Sequence, residues 1–183
     1  MYQEFVQEMH DTIRGMIEEI HTAIPGEIVA FDADKGLATV RPIMKYRKPD
    51  GESIDYPNIS GVPVVIPQAS GQAVTIAFPI KSGDGCLLIV SEQSLDLWQY
   101  GQETATDLKY DLTNAICIPG LFSKPSDALK LACSENAAVI DTGGTRLAVK
   151  NGSVQIDAAT ITLNGNVSVN GNFTTSGGIV NLN

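Results

Sequence analysis

Residues 159–183 read ATITLNGNVSVNGNFTTSGGIVNLN and show the clearest periodicity in the chain. Its apolar residues keep one odd-numbered register: Ile161, Leu163, Val167, Val169 and Phe173. Gly165 and Gly171 fall in the same phase, Thr, Asn and Ser fill nearly all other positions, and no residue of the stretch is charged. Alternation with a period of two predicts strands with one apolar and one polar face.

The alternation begins upstream of this stretch. Leu147 and Val149 alternate with polar residues, the pair Asn151-Gly152 predicts a turn, and a second alternating run follows it. The parity then slips by one residue at 158–159. An isolated β-ribbon is marginal in water, and its open edges favour aggregation. We therefore expect identical copies to wrap around one axis, with these residues as the axial core: Val154, Ile156, Ile161, Leu163, Val167, Val169 and Phe173.

A disordered, low-complexity polar tail is the alternative interpretation of the same stretch. Such tails do not keep a strict apolar register, whereas in this chain the register continues over residues 161–173. The register therefore favours an ordered β-structure.

Residues 27–118 carry strand signals separated by turn residues. The predicted strands are Glu27–Asp32, Leu37–Ile43, Ser60–Ile66, Ala73–Phe78 and Gly85–Glu92, with a candidate short strand at Ala115–Ile118. Five strands in fewer than a hundred residues suggest a small barrel, and an OB-like barrel is the economical choice. The segment 119–135, with Pro119-Gly120 and Lys124-Pro125, predicts a joint.

Residues 2–22 predict an amphipathic helix. Its apolar residues recur at steps of three and four: Phe5, Met9, Ile13, Met16, Ile17 and Ile20. The opposite face is acidic, unlike the Lys- and Arg-rich face of a membrane-surface helix. We expect this helix to dock on a neighbouring protein or subunit.

Composition and charge argue against several classes of function. A net charge of −9 with scattered basic residues disfavours a nucleic-acid partner. No secretory signal or membrane-spanning run is apparent, so we expect folding in a cytoplasm. The three cysteines, Cys86, Cys117 and Cys133, are expected to be buried reduced thiols. No metal or other cofactor is expected.

No catalytic constellation is apparent, so we do not expect an enzyme. The carboxylates near turns, such as Asp32, Asp34 and Asp50, are more typical of turn formers. The sequence also has no Gly-x-Ser-x-Gly motif and no histidine near a candidate nucleophile.

The segment before the joint resembles the membrane-puncturing baseplate spikes of contractile-tailed phages, including those of Mu-like and P2-like phages. The resemblance covers about residues 24–122. It is carried, in this order, by Ile-Ser-Gly-Val-Pro-Val at 59–64, Ser-Glu-x-Ser-x-Asp-x-Trp at 91–98 and Asp-Leu-x-x-Ala-x-x-Ile-Pro-Gly at 111–120.

The resemblance implies an OB-fold collar, a homotrimer and a C-terminal intertwined triple-stranded β-helix. With the N-terminal helix predicted above, the expected fold is mainly β. The expected boundaries are an amphipathic helix at 1–23, a collar at 24–120, a linker at 121–139 and a spike at 140–183. It also implies a virion location at the tail tip, with the collar docked on a baseplate hub and the bacterial outer envelope as the target. Phe5, Met9, Ile13, Ile17 and Ile20 would then face the hub.

The C-terminus departs from related spikes that end in an iron-binding His-x-His motif, because residues 175–183 contain no histidine. We expect Ile179, Val180 and Leu182 to contact a separate tip protein instead. Two alternatives remain: a spike of a phage-like bacteriocin or other contractile injection particle, and, in another class, an OB-fold nucleic-acid-binding protein.

Overall fold

The computed structural model describes residues 2–48, 51–102 and 108–177, and the chain forms two compact units, Met1–Ser123 and Lys124–Asn183. The first unit contains helix α1 (Tyr2–Glu18), strands β1 (Ala23–Asp32), β2 (Leu37–Pro42), β3 (Lys45–Arg47), β4 (Ser53–Asp55), β5 (Ile59–Pro63), β6 (Gln68–Ala69), β7 (Val74–Thr75) and β8 (Gly85–Val90), helix α2 (Asp96–Tyr100), a 3-10 helix (Leu112–Asn114) and strand β9 (Ala115–Pro119).

The first unit is built on a five-stranded antiparallel sheet in the order β5-β2-β1-β8-β9. Its two edge strands come together just beyond β5, where Val64 forms a parallel bridge with Cys117. The Val65 backbone N–H donates to the Cys117 carbonyl oxygen at 2.9 Å. The sheet is therefore a half-barrel joined at its edges, which confirms the mainly β class and fits the predicted OB-like collar.

The collar core lies inside this sheet. Its fully buried side chains are Ile28, Val40, Val62, Leu88, Cys86 and Cys117. Strand β1 is paired on both sides, and at Gly26 its neighbours leave no room for a side chain. A Cβ atom there would lie 2.7 Å from Val40 Cγ1 and 3.2 Å from Cys86 Sγ. Glycine is required at this position because two neighbouring strands approach it closely.

Several sequence predictions in the first unit differ from the structure: β1 begins at Ala23 rather than Glu27, and β5 spans Ile59–Pro63 rather than Ser60–Ile66. Ala73–Phe78 is not a barrel strand, because only Val74–Thr75 is a strand, paired with β6 in a small hairpin. Ser70 and Gln72 both have positive φ in the intervening turn, and Val74 is exposed. The fifth barrel strand is β9 instead. Helix α1 ends at Glu18, before the predicted limit at 22.

The second unit contains helix α3 (Asp127–Glu135) and strands β10 (Ala138–Asp141), β11 (Arg146–Lys150) and β12 (Ser153–Asp157). The sequence interpretation did not anticipate α3. Ser126 caps it, since its Oγ accepts a hydrogen bond from the Leu129 N–H at 3.1 Å. Cys133 lies on the exposed side of α3, so the expectation that all three thiols are buried is wrong for this cysteine.

Strands β10, β11 and β12 form an antiparallel meander. The turn predicted at Asn151-Gly152 is confirmed: it joins the pair Lys150–Ser153, and Gly152 has a φ of 79°. Residues 158–177 form no strand in the single described chain. An intertwined β-helix needs strands from other chains, so the predicted β-helix and trimer remain predictions.

Candidate interaction surfaces

The β10–β12 sheet has one charged face and one apolar face. The charged face carries Asp141, Arg146, Lys150 and Asp157, together with Val139 and Ala148. Strand register places the other residues in two cross-strand rows: Ile140–Leu147–Ile156 and Ala138–Val149–Val154. Residues directly opposite on neighbouring antiparallel strands point to the same side of the sheet. These six residues are called the apolar sheet face below, and none of them is charged.

Helix α3 packs on the charged face at strands β10 and β11. Ala148 on that face is 5% exposed, and Lys150 Nζ lies 3.1 Å from Glu135 Oε2 at the end of α3. Asp141 fixes the β10–β11 turn by accepting hydrogen bonds from the Gly143 N–H at 2.7 Å and from Arg146 Nε at 3.0 Å. Both bonds lower the pKa of Asp141 below its usual value, and the bond from the Gly143 N–H has the larger effect.

The apolar sheet face has no cover among the described residues. Ile140 is 64% exposed and Val154 is 65% exposed, and Val149 and Ile156 are also exposed. Only Leu147 in the middle strand is partly shielded. A contiguous apolar patch of this kind marks an interaction surface. Two of the predicted axial residues, Val154 and Ile156, belong to it.

The other predicted axial residues follow β12 and are exposed in the single chain: Ile161, Leu163, Val167, Val169 and Phe173. The segment also carries a short repeat that the sequence interpretation did not use. Residues 163–168 and 169–174 are consecutive hexads of the form apolar-Asn-Gly-Asn-apolar-Ser/Thr. Their glycines, Gly165 and Gly171, have nearly equal φ values of 141° and 144°. The predicted tip residues Ile179, Val180 and Leu182 lie outside the described residues.

The predicted hub-facing residues all lie on or just after α1 and are exposed: Phe5, Met9, Ile13, Ile17 and Ile20. The base of this segment is attached to the collar. The His21 N–H donates to the Tyr110 carbonyl oxygen at 3.1 Å, and the Val90 N–H donates to the Thr22 carbonyl oxygen at 2.8 Å.

Two of the collar aromatics pack against each other beside acidic residues. Tyr46 and Tyr56 pack edge to face with ring centroids 6.5 Å apart, and His21 packs on Tyr56 at 6.0 Å. The same depression is lined by Glu18 and Glu19. Binding of single strands needs stacking aromatics in a basic setting, and carboxylates here would repel phosphates.

Two exposed apolar groups on the collar were missed in the sequence interpretation. Helix α2 exposes Trp98 (72%) and Tyr100 (62%), and the β6–β7 hairpin region exposes Val74 and Ile76. Trp98 entered the sequence interpretation only as part of a motif. Large exposed aromatics are enriched where proteins bind one another, so α2 is a further candidate contact.

The hydrogen bond between the two collar cysteines shifts the pKa values of their thiols in opposite directions, and it lowers the pKa of Cys86. Cys86 and Cys117 are buried together, and a hydrogen bond with Cys86, followed by burial, raises the pKa of the Cys117 thiol. A protonated thiol is a poor nucleophile. Within residues 2–48, 51–102 and 108–177, no group of three His, Cys, Asp or Glu residues could hold a metal ion, and no helix is long and apolar enough to span a membrane.

Residues 24–120, more than half of the chain, match the model of a family described as phage protein Gp138 N-terminal domain. The match coincides with the half-barrel unit and excludes α1 and the second unit. No curated protein matches the sequence.

Proposed function

The chain belongs to the phage protein Gp138 N-terminal domain family, which indicates a phage structural protein and virion component, and we propose that it is the central spike of a contractile tail baseplate. In this proposal three copies form the spike, the collar docks on the baseplate hub at the tail tip, and sheath contraction drives the C-terminal β-structure through the bacterial outer envelope. The role is mechanical and uses no catalytic residue.

The apolar sheet face carries this proposal. It is uncharged and uncovered in one chain, while the opposite face is covered by α3 and carries the charges. A second apolar register follows directly, at residues 161–173, in a segment without strand partners of its own. Both features are satisfied when identical chains supply the missing partners around one axis.

Repetition of the hexad supports an elongated structure. Each hexad places its glycine at a φ that only glycine adopts readily, so the chain turns in the same way twice. Successive identical turns build a structure that advances along an axis, as in hexapeptide β-solenoids. Axial load on such a needle is shared by many inter-chain hydrogen bonds and by the buried stripe.

Sedimentation of the full chain tests the proposal. We expect a species of three times 19.5 kDa that survives SDS without boiling. A monomer over the micromolar range would refute the spike. Two further measurements test the other classes: tight binding of a single-stranded oligonucleotide at physiological salt would favour a nucleic-acid-binding protein, and peptidoglycan hydrolysis would favour an enzyme. The tip protein expected at Ile179, Val180 and Leu182 remains a prediction.

A further inference from the structure

Helix α1 and the turn after it carry a heptad repeat. The apolar positions are separated alternately by three and four residues: Val6, Met9, Ile13, Met16 and Ile20. In heptad notation, the β-branched residues Val6, Ile13 and Ile20 occupy position a, and the methionines occupy position d. This is the spacing that lets helices pack against one another as a coiled coil. The line of a and d residues is called the seam below, and the seam together with its apolar neighbours is called the stripe.

The repeat has no cover within its own chain. From Gln3 to Glu18, every described side chain of α1 except that of Val6 is exposed, and Met16 is 64% exposed. In proteins most of the stability of a helix comes from packing of its apolar face rather than from intrinsic propensity. Gly15, inside α1, weakens it. The helix therefore needs a partner along its apolar stripe.

The charges of α1 point away from the stripe. Glu4, Asp11 and Glu18 occupy the outermost position f, and Glu8 occupies the neighbouring position c. Two of them have partners at position b, on the same outer side: Gln7 Nε2 donates to Asp11 Oδ1 at 3.1 Å, and Arg14 Nε is 3.3 Å from Glu18 Oε1. Identical acidic helices would repel one another if these charges met at the seam, and this arrangement prevents it.

The residues that flank the seam widen the stripe. Phe5 at position g and Ile17 at position e are both apolar and exposed. Among the flanking residues of the described helix none is acidic, and Glu19 follows beyond its end. An apolar face wider than the two-position seam is suited to burial against two neighbours rather than one.

The attachment of α1 favours copies of itself as those neighbours. Two backbone hydrogen bonds, at His21 and Thr22, fix the chain to the collar immediately before β1 begins at Ala23. If three collars assemble around one axis, the short segment at His21 and Thr22 would therefore hold the three α1 helices close to one another. Such a tether gives a high effective concentration, which offsets the small size of each helix.

We propose that α1 packs against the α1 helices of the two other copies as a parallel three-helix coiled coil with Val6, Met9, Ile13, Met16 and Ile20 in its core. This inference rests on the trimer of the proposed function and revises one part of it. The hub meets the charged outer side of the bundle, and the apolar residues predicted to face the hub are buried between copies instead.

Cysteine cross-linking of the full chain tests the inference. Cys133 is exposed and is first replaced by Ser, while Cys86 and Cys117 remain because they are buried. Ile13→Cys places a thiol in the seam, and Asp11→Cys places one on the outer side as the matched control. After mild oxidation, we expect at least about fivefold more disulfide-linked dimer from Ile13→Cys, because a disulfide forms only between closely approaching Cβ atoms.

A second pair of cysteine variants tests whether the result depends on one particular substitution. Met9→Cys lies in the seam and Glu8→Cys lies outside it, and the same preference is expected. Sedimentation of the reduced variants separates the two hypotheses. A trimer with equal cross-linking inside and outside the seam overturns the coiled coil and leaves the spike intact, whereas a monomer overturns the spike and the coiled coil together.

Discussion

Replacing Leu163 with Asp should prevent trimer assembly while leaving the collar folded. Leu163 is 68% exposed in the single chain. Full burial of a leucine contributes about 1.5–3 kcal/mol, so burying the remaining two thirds contributes about 1–2 kcal/mol per chain and about 3–6 kcal/mol for three chains. The substitution removes this gain.

Aspartate adds a larger cost than the lost burial. Three carboxylates would meet near one axis without cationic partners, and desolvation alone costs several kcal/mol for each ion. The total loss of about 10 kcal/mol or more is comparable to the whole stability of an ordinary domain. We therefore expect the Leu163→Asp variant to sediment near 19.5 kDa, and Leu163→Ala to assemble with a lowered unfolding temperature.

The matched control is Asn164→Asp. It introduces the same charge one residue further along, in the opposite register, where the side chain faces solvent in the proposed needle. This variant should remain a trimer. The assignment of odd-numbered residues to the axis is refuted if Leu163→Asp sediments as a trimer and unfolds at the temperature of the parent chain, or if both aspartate variants lose assembly equally.

Three further predictions concern the first unit and can be measured on its thermal unfolding. Leu88→Ala should lower the free energy of unfolding by about 2–5 kcal/mol, because Leu88 is fully buried and the substitution leaves a cavity; an unchanged stability would contradict the assigned core. Gly85→Ala should destabilise the collar severely, since a Cβ atom there would overlap the Leu121 carbonyl oxygen. Gly15→Ala is the matched control, because a Cβ atom at Gly15 would have no neighbour within 4 Å, and it should stabilise α1 by about 0.5–1 kcal/mol. Asp111 caps the 3-10 helix, and hydrogen bonds from the Thr113 side chain and N–H lower the pKa of its carboxyl group. The stability that the ionised carboxylate contributes is present above its unfolded pKa of 3.8 and is lost as the pH falls through the lower folded value. Asp111→Ala should therefore lower the free energy of unfolding by about 0.5–2 kcal/mol at pH 7 and by less in acid.

The collar strands were largely predictable because local signals and burial agree there. Leu37–Pro42 and Gly85–Val90 lie close to their predicted bounds, since each alternates buried and less buried residues between clear turns. The strand predicted at Ala73–Phe78 failed because its apolar residues do not face the core. Val74, Ile76 and Phe78 are all exposed, so their β-branched and aromatic character reflects an outer surface rather than barrel pairing.

Helix α3 was missed for a different physical reason. The prolines and glycine before it, at 119–125, signal a break, and the short helix that follows has only nine residues to show a period. Its start is nevertheless written in the sequence, because Ser126 and Asp127 are the residues expected at a cap and a first turn. The helix matters for the candidate site, since it packs on the charged side of the β10–β12 sheet and leaves the apolar sheet face uncovered.

The apolar sheet face shows why register, rather than composition, defines the candidate site. Sequence alternation put Val154 and Ile156 on one side of a strand, but it could not show that Ile140 joins the row of Leu147 and Ile156. That row depends on cross-strand pairing between β10 and β11, which tertiary structure determines. Once the row is known, six uncharged residues form one face that nothing among the described residues covers. In the proposed spike, other copies of the same chain would cover this face together with the uncharged register that follows β12.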